Sequence, residues 1–164
     1  MEIRALEQSD IKSFLEFYQK LANENDYIKI TPEEMSSKFE KEEHKIVQKY
    51  NYKQIFIAID DNEIVGYIAL KRLHFARLRH IAKFDLGVLE DYQEDENVGA
   101  MLVKYAQEWA KENKIKRLEI FVIDEDENLK DLLKDLDFEK EGKRKQTIMI
   151  ENKYFDEVIM IKEI

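Results

Sequence analysis

The 164-residue chain has no cysteine, one proline, one tryptophan and only four glycines. Without cysteine it can form no disulfide framework, hold no zinc through thiolates and use no cysteine nucleophile. Its three histidines, His44, His74 and His80, fall in different stretches and suggest no metal site. No apolar run approaches the roughly 20 residues that a membrane-spanning helix needs, and the opening MEIRALEQSD lacks a signal-peptide core. A cytoplasmic protein without a membrane partner is expected. There is no repeat, no low-complexity segment and no linker rich in proline or glycine, so a single domain over 1–164 is expected. Positive charge is also in deficit. The 27 Lys and Arg residues stand against 36 Asp and Glu, a formal charge of -9 that argues against nucleic acid as a partner. The same balance suits a cationic or amine-bearing partner, and it serves solubility equally well.

What is present is a clear alternation of helical and strand patterns. Hydrophobic residues make up 44% of the chain, enough for a substantial core. EIRAL reads as a first strand. From Ser9, an available N-cap, Ile11, Phe14, Leu15, Tyr18, Leu21 and Ala22 recur at helical spacing. TPEE opens a second helix, with Thr31 as cap, Pro32 in the first turn and Glu34 closing a capping box. Met35, Phe39, Ile46 and Tyr50 then line its buried face. QIFIAID and EIVGYIAL flank Asp61-Asn62, a hairpin signal, and RHIAKFDLGVL continues as a third long strand. From Gly99, the residues Leu102, Tyr105, Ala106, Trp109 and Ala110 restore the helical period. RLEIFVI is a buried strand, and Leu129, Leu132, Leu133 and Leu136 form a stripe on a short helix. Two strands around Glu151-Asn152 close the chain. This order predicts an α/β fold, a mixed and largely antiparallel central sheet with helices on both faces.

The stretch YQEDENVGAMLV, from Tyr92 to Val103, runs from the fourth strand into the central helix. A helix N-terminus leaves backbone N–H groups unpaired and carries partial positive charge, so it attracts phosphate. Such loops are usually rich in glycine and free of acids. This one offers only Gly99, preceded by Glu94, Asp95 and Glu96. At about 8 Å in high dielectric each carboxylate–phosphate pair costs roughly 0.5 kcal/mol, so three weaken binding by about tenfold without abolishing it. An acidic surface turn capping a helix is the alternative reading.

The element order and several phrases resemble the GCN5-related N-acetyltransferases, the GNAT family, across nearly the whole chain. IVGYIAL is similar to the family's third strand. RHIAKFDLGVLEDYQ is similar to its fourth, commonly R-x-x-H-x-A…G-V…Y ahead of a pyrophosphate loop. AQEWAKENKIKRLEIFVI resembles the third helix and fifth strand, and FEKEGKRKQTIMIENKYFDEVIM resembles the closing hairpin. The resemblance implies a GNAT-like fold and transfer of acetyl from acetyl-CoA, as co-substrate, to a primary amine of a small molecule or peptide. It also implies a homodimer. The family's splay between fourth and fifth strands would admit the pantetheine arm of CoA. Backbone groups of Leu86, Gly87 and Val88 would meet the thioester, and Asn97, Val98, Gly99, Ala100 and Met101 would bind the cofactor at the pyrophosphate.

Two places depart from the family pattern. In the loop Q/R-x-x-G-x-G/A, Glu94 takes the first position and Asn97 that of the first glycine; asparagine is the best replacement where φ is positive. On the fourth helix the family's asparagine corresponds to Asp126 and the glycine before Phe138 to Asp137. The tyrosine that protonates the departing thiolate corresponds to Leu133. These departures keep open an alternative: a catalytically weak or inactive GNAT-fold module that binds a ligand or a protein.

Acetyl transfer to an amine calls for a base. Along the fourth strand Ala82, Phe84, Leu86 and Val88 share one face, while Lys83 and Asp85 point to the other. Asp85 is an acid within an apolar strand, costly unless paired or functional, and it is the candidate catalytic residue. Pairing with Lys83 or another cation is its alternative reading. Glu90 and Asp91 read as solvated loop acids, and His80 as a core or edge residue. KRLHFARLRH gathers cations between two strands, either as a solvated loop or against an anionic group of the substrate. Tyr18, Tyr27 and Tyr67 either line an acceptor pocket or belong to the core.

Overall fold

The computed structural model describes residues 1–47, 53–94 and 97–164, with backbone alone over 42–47. Strand β1 (Glu2–Ala5) leads into helix α1 (Ile11–Glu24), and α2 (Pro32–Val47) follows. Strands β2 (Lys53–Asp60), β3 (Glu63–Arg72) and β4 (Ile81–Val88) come next, then α3 (Val98–Glu112), β5 (Arg117–Ile123) and α4 (Glu127–Asp135). The hairpin of β6 (Glu139–Ile150) and β7 (Lys153–Glu163) ends the chain. The described strands form one seven-stranded sheet in the order β1-β2-β3-β4-β5-β7-β6. All neighbours pair antiparallel except β4 and β5, which run parallel. The mixed, largely antiparallel sheet with helices on both faces is the expected architecture. Among the described residues no helix is long and apolar enough to cross a membrane.

Local chemistry sets most boundaries. The α2 capping box forms as read: Glu34 N–H donates to Thr31 Oγ1 at 3.2 Å, and Thr31 N–H donates to the Glu34 carboxylate at 2.8 Å. Ser9 does not cap α1. It lies inside a 3-10 turn, Gln8–Asp10, that precedes the helix. Asp10 organises that turn, accepting from Glu7 N–H at 2.8 Å and from both Arg4 terminal nitrogens at 2.6 and 2.8 Å. A bidentate guanidinium–carboxylate pair outcompetes a lone serine hydroxyl. The scarcity of glycine has a visible consequence: left-handed backbone falls mostly on Asp and Asn. Asp61 and Asn62 turn the β2–β3 hairpin, Glu151 and Asn152 the β6–β7 hairpin, and Asp137 holds φ 64° where the resemblance has glycine.

Two apolar clusters sandwich the sheet. On one side α1 and α2 bury Phe14, Phe17, Tyr18, Leu21, Met35 and Phe39 against Ile57 and Tyr67. On the other, α3 and α4 bury Leu102, Val103, Ala106 and Leu133 against Ile68, Phe84 and Ile120. The side chain of Ile46, and Tyr50 altogether, lie outside the described part of the structure. The β4–β5 pairing covers only Ile81–Lys83 against Arg117–Glu119. Beyond it the two parallel strands separate, so Asp85–Val88 have no β5 partner.

Candidate active site

The open half of the β4–β5 seam lies in a cavity of about 510 Å³. Its floor is β2 to β5, its roof is α1, α2 and the segment between them, and one end reaches Asp126 and Leu129 at the start of α4. The strand period places Lys83, Asp85 and Gly87 on the cavity side of β4 and buries Ala82, Phe84 and Val88 on the other. Gly87 is needed by the roof. A Cβ there would stand 2.5 Å from a Leu21 methyl and 2.6 Å from the Tyr67 ring, so any larger residue must displace those side chains.

Asp85 faces the cavity, its side chain exposed to the cavity space while protein surrounds it on the other sides. Burial raises its pKa above the usual carboxylate value, and the nearby charges of Lys29 and Lys38 only partly oppose this. The pairing with Lys83 is not formed: the Lys83 ammonium sits 4.9 Å from the centre of the Phe121 ring. Lys29 is committed elsewhere, donating to the Phe121 carbonyl at 2.6 Å and to Glu157 at 2.7 Å. A carboxylate of raised basicity, open to a cavity and outside the ion pairs of the described residues, is chemically able to take a proton.

Around it stand the aromatic residues singled out in the sequence. The Tyr18 hydroxyl donates to the Ile30 carbonyl at 2.8 Å, and the Tyr67 ring packs edge-on against Tyr18, 6.0 Å between centroids. Burial pushes Tyr18 up to about 12, and it drives the fully enclosed Tyr67 upward as well. Both phenols stay neutral and fasten α1 and the α1–α2 segment over the cavity. Tyr27 lines the cavity and stacks edge-on with Phe155, 6.3 Å between centroids.

The sequence reading missed Lys29 and Glu157. Glu157 is 3% exposed on β7. Burial disfavours its charge, but hydrogen bonds from Lys29 and Thr147, at 2.7 and 2.8 Å, outweigh that and hold it below the usual range. Lys29 lines the cavity, and its ammonium ties the α1–α2 segment to β5 and β7. The two paired residues are 128 residues apart, and neither sits in a pattern that announces the other.

At the other end, Asn97 takes the left-handed conformation, φ 47° and ψ 42°, immediately before α3. Val98, Gly99 and Ala100 are buried, whereas Met101 is exposed. Gly99 is small for a packing reason: its Cβ would meet a Leu132 methyl at 2.7 Å, so it lets α4 approach α3. The Gln93 side chain donates to the Val88 carbonyl at 2.9 Å, tying this junction to the end of β4. Glu94 is exposed. Asp95 and Glu96, the other acids of the loop, lie outside the described residues. Glu90 and Asp91 form a 3-10 turn and are exposed, and Glu90 N–H donates to Glu24 of α1 at 2.9 Å.

Several expected positions sit apart from the cavity. Leu133 is wholly buried and packs in the α3–α4 core. At this end the residues that reach the cavity are Asp126, just before α4, and Leu129 within it. Asp126 caps the helix, accepting from Leu129 N–H at 3.2 Å, and burial raises its pKa. His80 is exposed rather than packed; only its carbonyl is used, accepting from Lys116 and Arg117 N–H. Of KRLHFARLRH, only Lys71 lines the cavity; the segment from His74 to His80 is exposed.

A family model described as Acetyltransferase (GNAT) domain matches residues 3–159. Solved structures superpose over almost the whole chain. A GNAT-family acetyltransferase from Streptococcus pneumoniae is 23% identical, with TM-score 0.82 and 99% of each chain covered. A protein of Staphylococcus epidermidis described as a probable acetyltransferase is 25% identical, with TM-score 0.79, covering 99% of this chain and 98% of its own. The yncA protein of Salmonella typhimurium, solved with its cofactor acetyl-CoA, is 13% identical, with TM-score 0.79 and coverage of 99% and 93%. A search of the curated proteins finds no match.

Proposed function

The chain belongs to the GNAT acetyltransferase family, and from that premise we propose that it acts as one domain over 1–164 transferring acetyl from acetyl-CoA to a primary amine. The observation that carries this reading is the half-open β4–β5 seam, with Asp85 on the floor of the cavity at the opening. The residues present fit CoA. At the seam Leu86, Gly87 and Val88 have no partner on β5, although Gln93 takes the Val88 carbonyl. The first turn of α3, after Asn97, offers the N–H groups of Val98, Gly99 and Ala100 to a pyrophosphate, with Met101 N–H already given to the Asn97 carbonyl. Acetyl-CoA, when bound, supplies a thioester carbonyl open to attack by an amine.

In this reading Asp85 takes the proton of the incoming ammonium, directly or through one water, so that the neutral amine is the nucleophile. Tyr18 and Tyr67 hold the roof that excludes bulk water. No described α4 side chain offers a phenol, so the thiolate departs on its own low basicity or with a proton from solvent.

The departures at Glu94 and Leu133 favour a second reading, a cleft that binds its ligands with weak or no transfer. Calorimetry with CoA and acetyl-CoA, followed by thiol release on adding amines, separates the two. Binding with amine-dependent release of thiol is expected. Binding without release for any amine supports the second reading, and no binding at millimolar CoA overturns both.

A further inference from the structure

Three lysines stand side by side on the cavity floor. Lys53 of β2 is directly opposite Lys71 of β3, and Lys71 is directly opposite Lys83 of β4. All three line the cavity. Neighbouring strands lie about 4.8 Å apart, and like charges placed directly opposite destabilise a sheet. Three cations in one rank, in a chain of formal charge -9, are therefore costly to the fold. The rank continues into Glu119 of β5, but that carboxylate is taken by Arg117 Nε at 2.8 Å. Lys38 of α2 faces the same space from the roof. Among the described residues, Lys38, Lys71 and Lys83 enter no ion pair.

Asp85 lies two residues along β4 from Lys83, on the same face, a separation of roughly 7 Å. The cavity floor thus presents a proton acceptor beside the open seam and a bank of cations one step farther in. We propose that the acceptor is an amine carrying an anionic group, a carboxylate or a phosphate, with the amine at Asp85 and the anion on Lys71 and Lys83. This rests on the acetyltransferase reading and narrows its substrate class. Purely cationic amines such as polyamines are excluded by repulsion from the same bank.

The test pairs amines that differ only in the anion. Free amino acids are compared with their carboxamides, and O-phosphoethanolamine with ethanolamine, using wild type, Lys71→Gln and Lys83→Gln. Thiol release from acetyl-CoA and calorimetric binding are both read. The expected result is a kcat/KM at least about tenfold higher for the anionic member, falling by about tenfold in either lysine variant, with Tm unchanged or raised. The amino-acid and phosphate arms identify which anion is recognised. Transfer to carboxamides, ethanolamine or polyamines as fast as to anionic amines would overturn the proposal and leave the acetyltransferase reading intact. If no amine releases thiol, binding decides. Selective binding of the anionic members, lost in the lysine variants, supports the anion site while the transfer reading fails; equal or no binding of both members overturns the anion site as well.

Discussion

The two faces of β4 carry opposite chemistry over the same eight residues. On one, Ala82, Phe84 and Val88 are buried against the α3–α4 layer with nothing polar among them. On the other, Lys83 and Asp85 face a cavity, and only Gly87 is packed, tightly, beneath α1. The first face follows from burial of apolar area alone. The second holds a carboxylate whose charge the site disfavours and a rank of like charges that a sheet does not want. Stability explains one face; the other departs from it where the parallel strands part.

Substitutions on the two faces should therefore differ in kind. The largest effect is expected from Asp85→Asn, a loss of turnover of about 10²–10⁴-fold, as removal of a general base gives. Its stability should move the other way. Because the folded pKa of Asp85 is raised, the folded chain holds this proton more tightly than the unfolded chain does. The charged form at neutral pH then costs stability, and that cost disappears as pH falls through the folded pKa. Asp85→Asn should raise Tm at neutral pH and lose this advantage in acid. On the apolar side Leu102→Ala should cost about 2–5 kcal/mol in denaturant unfolding, since Leu102 is completely buried, with no change in the pH profile of the remaining activity.

Two enlargements probe the packing on either side. Gly87→Ala should cost about 1–3 kcal/mol and weaken acceptor binding, because the methyl displaces Leu21 and Tyr67. Leu133→Tyr should cost a similar 1–3 kcal/mol without raising turnover, because position 133 points into core rather than cavity. Smallest is Asp124→Asn. Hydrogen bonds from Lys143 and Lys130 hold the Asp124 carboxyl at about 2. Its contribution, up to about 1 kcal/mol at a partly exposed site, is present above the unfolded pKa near 4 and lost as pH falls toward 2. Thermal melts across acid pH should thus show opposite slopes for the terms due to Asp124 and Asp85.

The element order, the α2 capping box, both hairpin turns and the two-faced period of β4 were legible because each is written within a few neighbouring residues. The cap on α1 was not, because Arg4 competes for the same turn from the preceding strand. The helical stripe of α1 also leaves out Phe17, which is 5% exposed and packs edge-on against Tyr67 of β3. Within the site, Asp85 could be singled out as an acid in an apolar strand, but the lysine rank could not. It exists only once β2, β3 and β4 are set in register, which brings together residues 18 and 12 positions apart. Lys29 and Glu157 meet by the same long-range folding, with no local sign in either segment.

The central claim is that the open half of the β4–β5 seam and the start of α3 together receive CoA. Backbone hydrogen exchange with and without millimolar CoA tests this at residue resolution. The account predicts new protection at Leu86–Val88 and Val98–Met101, with the β6–β7 hairpin unchanged. Exchange unaltered in both segments, or protection confined to another part of the molecule, would contradict it.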